Sequence, residues 1–240
     1  MSYNTFTPIV TNGLVLYLDA ANTKSYPGTG TSWLDLSKNG NNGTLVGGPT
    51  FSSDGGGSIV FDGSDDYVGW NTFAAVKQQN WSSITMETAF KLVSYVGNTN
   101  GRQYIFDNRD VAASEGAVSL FHDSSVTPLG LKLYYNTVGA SYEEPLITTI
   151  PLNSLIFHQV VFDKTTSTNN IKHFVNGVNV LTRSVTVTQN TAGSGRVWMG
   201  RWSGGGYQWN GNIYSYRIYN RKLTDSEILQ NYNATKFRFQ

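Results

Sequence analysis

Residues 83–93, SITMETAFKLV, alternate: Ile84, Met86, Thr88, Phe90 and Leu92 fall on one side, Thr85, Glu87 and Lys91 on the other. This period of two is that of a strand with one face in a core and one in water. The stretch 129–135, LGLKLYY, repeats it with Leu129, Leu131, Leu133 and Tyr135. Shorter β-rich runs follow at 13–18, 58–61, 104–106, 117–121, 155–162, 196–200 and 212–219, each bounded by Gly, Asn, Asp, Ser or Pro. Many short strands without intervening helices predict an antiparallel all-β sandwich or barrel. Within IKHFVNGVNVL, residues 171–181, Asn176-Gly177 separates two β runs. Both residue types accept the positive φ of a type I′ turn, so a tight hairpin is expected.

One segment reads as helix. In LTDSEILQNYN, residues 223–233, Thr224 and Glu227 stand at capping-box spacing, Leu223 and Ile228 suit the flanking staple, and Ile228, Leu229 and Tyr232 make an apolar stripe. The helix, about 224–234, is expected to close the sandwich. The Gly- and Asn-rich stretch 38–58 is the best candidate boundary, but only one clear strand precedes it, too little for a separate core. The organisation read is an N-terminal arm, 1–12, and one domain, 13–240.

Composition excludes several function classes. With 17 Lys+Arg against 16 Asp+Glu and no run of five like charges, the chain carries no electrostatic footprint for nucleic acid or an anionic membrane. The absence of Cys excludes a disulfide framework and a thiolate metal site. The N-terminus, MSYNTFTPIV, has no basic start or apolar core of a signal peptide, and LVLYL is too short to span a bilayer. An unprocessed protein without membrane insertion is expected.

Five segments occur in a fixed order: GLVLYLDAANTKSY (13–26), WLDLSKNGNNGTL (33–45), IVFDGSDDYV (59–68), FHQVVFDKTTSTNNIKHFVNGVNV (157–180) and GNIYSYRIYNRKLTDSEILQNYNA (211–234). In that order they resemble laminin-G-like, concanavalin A-like lectin domains, and the first and last resemble the versions carried by structural proteins of tailed bacteriophages. The resemblance implies a two-sheet antiparallel jelly roll whose concave face and loops bind glycans or proteins, with calcium in some members. Its implied setting is the virion surface, as capsid decoration or a fibre or tail component. Implied partners are other virion proteins such as capsid or fibre subunits, cell-surface glycans and further copies of the chain. Fold alone assigns no activity. Two alternatives stay open: a purely structural capsid cement without a soluble ligand, and a glycan hydrolase or accessory carbohydrate-binding module.

Catalytic signals are missing. Hydrolases sharing this sandwich place two carboxylates on one strand face, about 5–5.5 Å apart in retaining enzymes, because one protonates the leaving oxygen while the other attacks. Glu87 is the nearest strand acid, and its partner positions, Ala89 and Lys91, are not acidic. Glu143 and Glu144 are adjacent, so on a strand they point to opposite faces. His122, His158 and His173 have no metal-ligand spacing, and His158 and His173, which lie in strand runs, read as hydrogen-bonded structural imidazoles. No catalytic residue is assigned, and no cofactor beyond calcium. Hard cations take several oxygen ligands, and Asp62, Asp65, Asp66, Asp107 and Asp110 are the candidates.

RWSGGGYQWNG, residues 201–211, carries the candidate glycan platform. Sugars lay their C–H faces on aromatic rings while amides take the hydroxyls, so Trp202 and Tyr207, with Gln208 and Asn210 beside them, are the candidate binding residues. The glycines leave little expected to bury these two rings, whereas Trp209, just before a strand, is expected to fold onto the core. Trp33, Trp70 and Trp81 read as core, and the tyrosines and arginines of NIYSYRIYNR, residues 212–221, as a candidate protein interface.

Overall fold

The structure, a computed structural model, describes residues 7–70, 81–95, 101–108, 118–124, 130–137, 140–145, 150–186, 197–202 and 204–239. In chain order the strands are β1 (Leu14–Asp19), β2 (Ser32–Trp33), β3 (Gly43–Val46), β4 (Thr50–Ser52), β5 (Ser58–Asp62), β6 (Tyr67–Trp70), β7 (Ser83–Leu92) and β8 (Arg102–Asp107). They continue as β9 (Val118–Asp123), β10 (Gly130–Thr137), β11 (Ala140–Pro145), β12 (Leu155–Asp163), β13 (Ile171–Val175), β14 (Val178–Arg183), β15 (Val197–Met199) and β16 (Asn210–Tyr219), before helix α1 (Asp225–Thr235). Two antiparallel sheets result. The first runs β14-β13-β12-β7-β16-β5-β4, with β1 also paired to β16; the second runs β11-β10-β9-β8-β15-β6-β3-β2. This is a sandwich, one of the two forms the alternation predicts, with the two antiparallel sheets of the jelly roll that the resemblance implies.

The alternating residues meet between the sheets. Ile84, Met86, Phe90 and Leu92 of β7 pack in one core with Leu120, Leu131, Leu133, Ile213 and Ile218, and Trp33, Trp70 and Trp81 join it. The Asn176-Gly177 turn closes β13 and β14 with Val175 opposite Val178, and φ is 51° and 77° at its two residues, as a type I′ hairpin requires.

The outward side of β7 departs from the half-buried expectation. Thr85 and Glu87 are buried because α1 and the turn before it lie across this face. Thr85 Oγ1 donates to the Arg221 carbonyl and accepts from Leu223 N, 2.9 and 3.0 Å away. Glu87 pairs with Arg217 Nε at 3.1 Å and accepts from Asn231 Nδ2 at 3.1 and 3.0 Å. Burying two charges is tolerated only with such pairing. Tyr214, Arg217 and Tyr219 are covered as well, so this strand face is not the protein interface read from NIYSYRIYNR.

The capping box of α1 is present: Glu227 N donates to Thr224 Oγ1 while Thr224 N donates to Glu227 Oε2. Its buried stripe is Ile228, Asn231 and Thr235, whereas Leu229 is exposed, because Asn231 must reach Glu87 and thereby sets the helix rotation. The described part of the arm follows the helix, with Val10 N donating to Asn231 Oδ1 at 2.8 Å and Gln230 Nε2 donating to the Pro8 carbonyl at 2.8 Å.

Candidate functional site

The loop between β15 and β16 is a closed turn. Trp202 N donates to the Gly206 carbonyl and Gly205 N to the Trp202 carbonyl, 3.2 and 3.0 Å away. The glycines serve two needs. Gly205 and Gly206 take φ of 79° and 92°, which side chains disfavour, and a Cβ on Gly204 would run into the Trp202 ring. Trp209 folds inward as expected, fully buried and edge-on to Phe90 at 5.3 Å.

Trp202 and Tyr207 are held more firmly than the glycines suggested. They pack on Tyr104, Phe121 and Tyr134 of β8, β9 and β10. Each of those rings has the opposite parity to its core-facing neighbours Ile105, Leu120 and Leu133, so the cluster lies on the outer face of the second sheet. Tyr104 and Phe121 stack at 4.7 Å, Tyr207 tilts on Tyr104 at 5.8 Å, and Trp202 tilts on Tyr207 at 5.5 Å. Tyr207 has a φ of 53°, an uncommon conformation for a bulky residue, held while its carbonyl accepts from Tyr104 N at 3.0 Å. Both outer rings remain half-buried, leaving ring surface open above a buried floor.

Charged groups frame the cluster. Asp123 is buried between Arg102 Nε at 3.3 Å and Lys132 Nζ at 2.9 Å, and the Arg102 guanidinium lies 5.2 Å from the Phe121 ring centre. Arg201 covers Tyr67 at 4.4 Å. Of the candidate polar residues, Gln208 is half-buried beside Tyr207, and Asn210 N donates to Gln103 Oε1 at 2.8 Å. Sequence reading missed the floor residues Tyr104, Phe121 and Tyr134, although an aromatic at the outward position of three successive strands was a signal for them.

Asn210 also links the loop to the acidic turn. It pairs with Asp62 across β16 and β5, and a Cβ on Gly63 would lie 2.9 Å from its own Cβ. The carboxylate oxygens of Asp62, Asp65 and Asp66 lie within 4.8 Å of one another. Asp62 and Asp65 are exposed, while buried Asp66 accepts from Asp62 N at 2.9 Å. Burial, with repulsion from Asp62 and Asp65, raises the Asp66 carboxyl above its ordinary value despite that hydrogen bond. Crowded hard oxygens of this kind suit calcium, which takes about six to eight oxygen ligands and would relieve the repulsion. Asp107 is fully buried at the end of β8 and does not join this group, and Asp110 lies outside the described residues.

Glu87, His122, His158 and His173 are enclosed. Burial raises Glu87 against the opposing pull of Arg217 and Asn231. His158 and His173 stack inside the core, their Nε2 and Nδ1 atoms 3.1 Å apart, and His122 stacks on Tyr95. Burial holds His158 down to about 3 and, opposed by Asp123, His122 down to about 4.

The sequence matches the concanavalin A-like lectin/glucanases superfamily over residues 62–229. The chain belongs to that family. Curated protein sequences give no match. Among solved structures it is similar to domain 4 of AbnA, a GH43 extracellular arabinanase from Geobacillus stearothermophilus in complex with arabinotriose, with a TM-score of 0.66 at 15% identity over 91% of this chain and 97% of that domain. It is similar to Trypanosoma rangeli sialidase in complex with sialic acid, TM-score 0.65 at 12% identity over 93% of this chain, but spans only 33% of that protein. It is also similar to the receptor-binding domain of botulinum neurotoxin C/D mosaic serotype, TM-score 0.69 at 11% identity, covering 94% of this chain and 52% of that one.

Proposed function

We propose that the chain is a non-catalytic recognition domain that binds glycans on the outer face of its second sheet, displayed on the surface of a virion as a capsid decoration or fibre component. The ring cluster carries this reading: Trp202 and Tyr207 are only partly buried, yet packed on Tyr104, Phe121 and Tyr134. A fixed ring pair stacks on a sugar without first being ordered, and the amides of Gln208 and Asn210 offer partners for its hydroxyls. The shared fold of the arabinotriose-bound arabinanase domain supports a saccharide ligand. The likeness of residues 13–26 and 211–234 to phage structural proteins supports the virion setting and, with it, capsid or fibre subunits as partners.

Affinity electrophoresis through gels containing a panel of bacterial polysaccharides, with reducing-sugar release measured on the same panel, tests the binding half. Retardation without release is expected. Release would make the protein a hydrolase, and no retardation by any polysaccharide would leave the cement alternative. Immunogold labelling of intact particles tests the setting: surface label is expected, and unlabelled particles would remove the virion role.

A further inference from the structure

The first sheet carries a separate cavity of about 380 Å³ between the β12–β13 loop and the turn entering α1. Its lining joins the apolar Val161 and Leu223 to polar and charged side chains from both sides. The loop side is tied by its own hydrogen bonds. Asp163 Oδ1 accepts from Thr165 N and Oγ1 at 2.9 and 2.6 Å. Asn170, itself buried, donates to the Thr166 and Val185 carbonyls and accepts from Val185 N, all at 2.8 Å. Two ion pairs hold the opposite wall, Lys222 Nζ to Asp163 Oδ2 and Lys172 Nζ to Asp225 Oδ1, each at 2.7 Å.

These pairs decide the ligand chemistry. The two lysines and two aspartates cancel, so a free anion or cation meets as much repulsion as attraction. Each ammonium uses one of its three donors in its ion pair, and the hydroxyls of Thr166 and Thr168 both donate and accept. The helix end itself offers little, because Thr224 and Glu227 already cap each other. A neutral ligand with neighbouring hydroxyls matches this alternation of donors and acceptors, and the volume falls within the range of small-molecule sites, about 300–1,000 Å³. We propose that this cavity is a second carbohydrate site, taking one neutral sugar unit and built from polar side chains in place of aromatic rings. It makes the domain bivalent, with one site on each sheet. It stands independently of the Trp202 site, since the two share no residue.

The test is a titration of the ¹⁵N-labelled full chain with methyl glucoside, methyl galactoside and methyl mannoside, and separately with sodium sulfate, followed by amide shifts. Saturable shifts at Thr166, Thr168, Asn169 and Thr224 with at least one glycoside are expected. The double variant Lys172→Ala/Asp225→Ala removes one exposed ion pair and leaves the buried Asp163 paired, so the fold is retained; it should weaken that glycoside at least tenfold. No shift at these amides with any glycoside, equal shifts with sulfate, or an unweakened variant would overturn the proposal. Shifts around Trp202 and Tyr207 in the same spectra report on the ring platform separately, so one site can fail without the other.

Discussion

Acid should unfold this protein through its histidines before the held-down carboxylates of Glu227 and Asp163 contribute, and against the opposing gain from the raised Glu87 and Asp66. His122, His158 and His173 are all fully buried. From an ordinary value of 6.5, burial lowers His122 to about 4 and His158 to about 3, and burial together with His158 lowers His173 well below 6.5. A group depressed in the native state contributes stability that is present above its unfolded pKa and lost as pH falls toward its native one. Each tenfold difference in proton affinity is about 1.4 kcal/mol, so the full losses are about 3 kcal/mol for His122 and about 5 kcal/mol for His158. Their sum, about 8 kcal/mol, is comparable to the whole stability of a typical domain, about 5–15 kcal/mol.

By about pH 5 each of the two has already lost about 2 kcal/mol, with His173 adding in the same direction. Glu227 acts later: its hydrogen bonds to Arg221 hold it down to about 2, so its contribution is lost only below its unfolded value of 4.5. Urea denaturation followed by circular dichroism between about pH 7.5 and pH 5 separates the two windows. The midpoint should fall steadily across that range. His122→Phe keeps a ring against Tyr95 and should flatten the fall by about 2 kcal/mol at pH 5. Equal midpoints at both ends of the range, or an undiminished slope in His122→Phe, would refute the assignment of these imidazoles to a neutral core.

Glu87→Gln leaves the buried Arg217 charge uncompensated and should cost roughly 3–5 kcal/mol, while Glu87→Met/Arg217→Met together should cost less than either single change; a thermal-melt double-mutant cycle showing simple additivity would contradict this. Thr88 Oγ1 and Tyr216 OH are buried without a hydrogen-bond partner among the described residues, so Thr88→Val and Tyr216→Phe should stay within about 1 kcal/mol of wild type in urea, and a larger loss would reveal a bridging water. Gly204→Ala puts a methyl where the Trp202 ring lies, so it should cost about 1–3 kcal/mol in melting experiments and weaken glycan retardation on gels. Unchanged retardation would detach Trp202 from binding.

Local signals in the chain were legible because each is short-range chemistry. The alternation of β7, the Asn176-Gly177 hairpin and the Thr224/Glu227 capping box all depend on neighbours in sequence, and all three appear in the fold. Strands β2, β3, β4 and β6 span two to four residues each, too few for a period to register. The buried outer face of the first sheet was hidden for a different reason. Glu87, Arg217 and Asn231 look like solvent residues one at a time, and only their meeting under α1 makes burial affordable. The ring platform was half legible: Trp202 and Tyr207 stood out beside glycines, but their floor comes from three distant strands that pairing alone brings together.

A glycan array should be probed with the wild-type protein and with a Trp202→Ala/Tyr207→Ala variant of equal melting temperature, each in calcium and in chelator. Wild-type binding to a defined group of glycans, lost in the variant, is the outcome expected from a ring pair fixed on the outer face of the second sheet. Glycan binding retained in the variant, or a wild-type protein silent on every glycan, would contradict it.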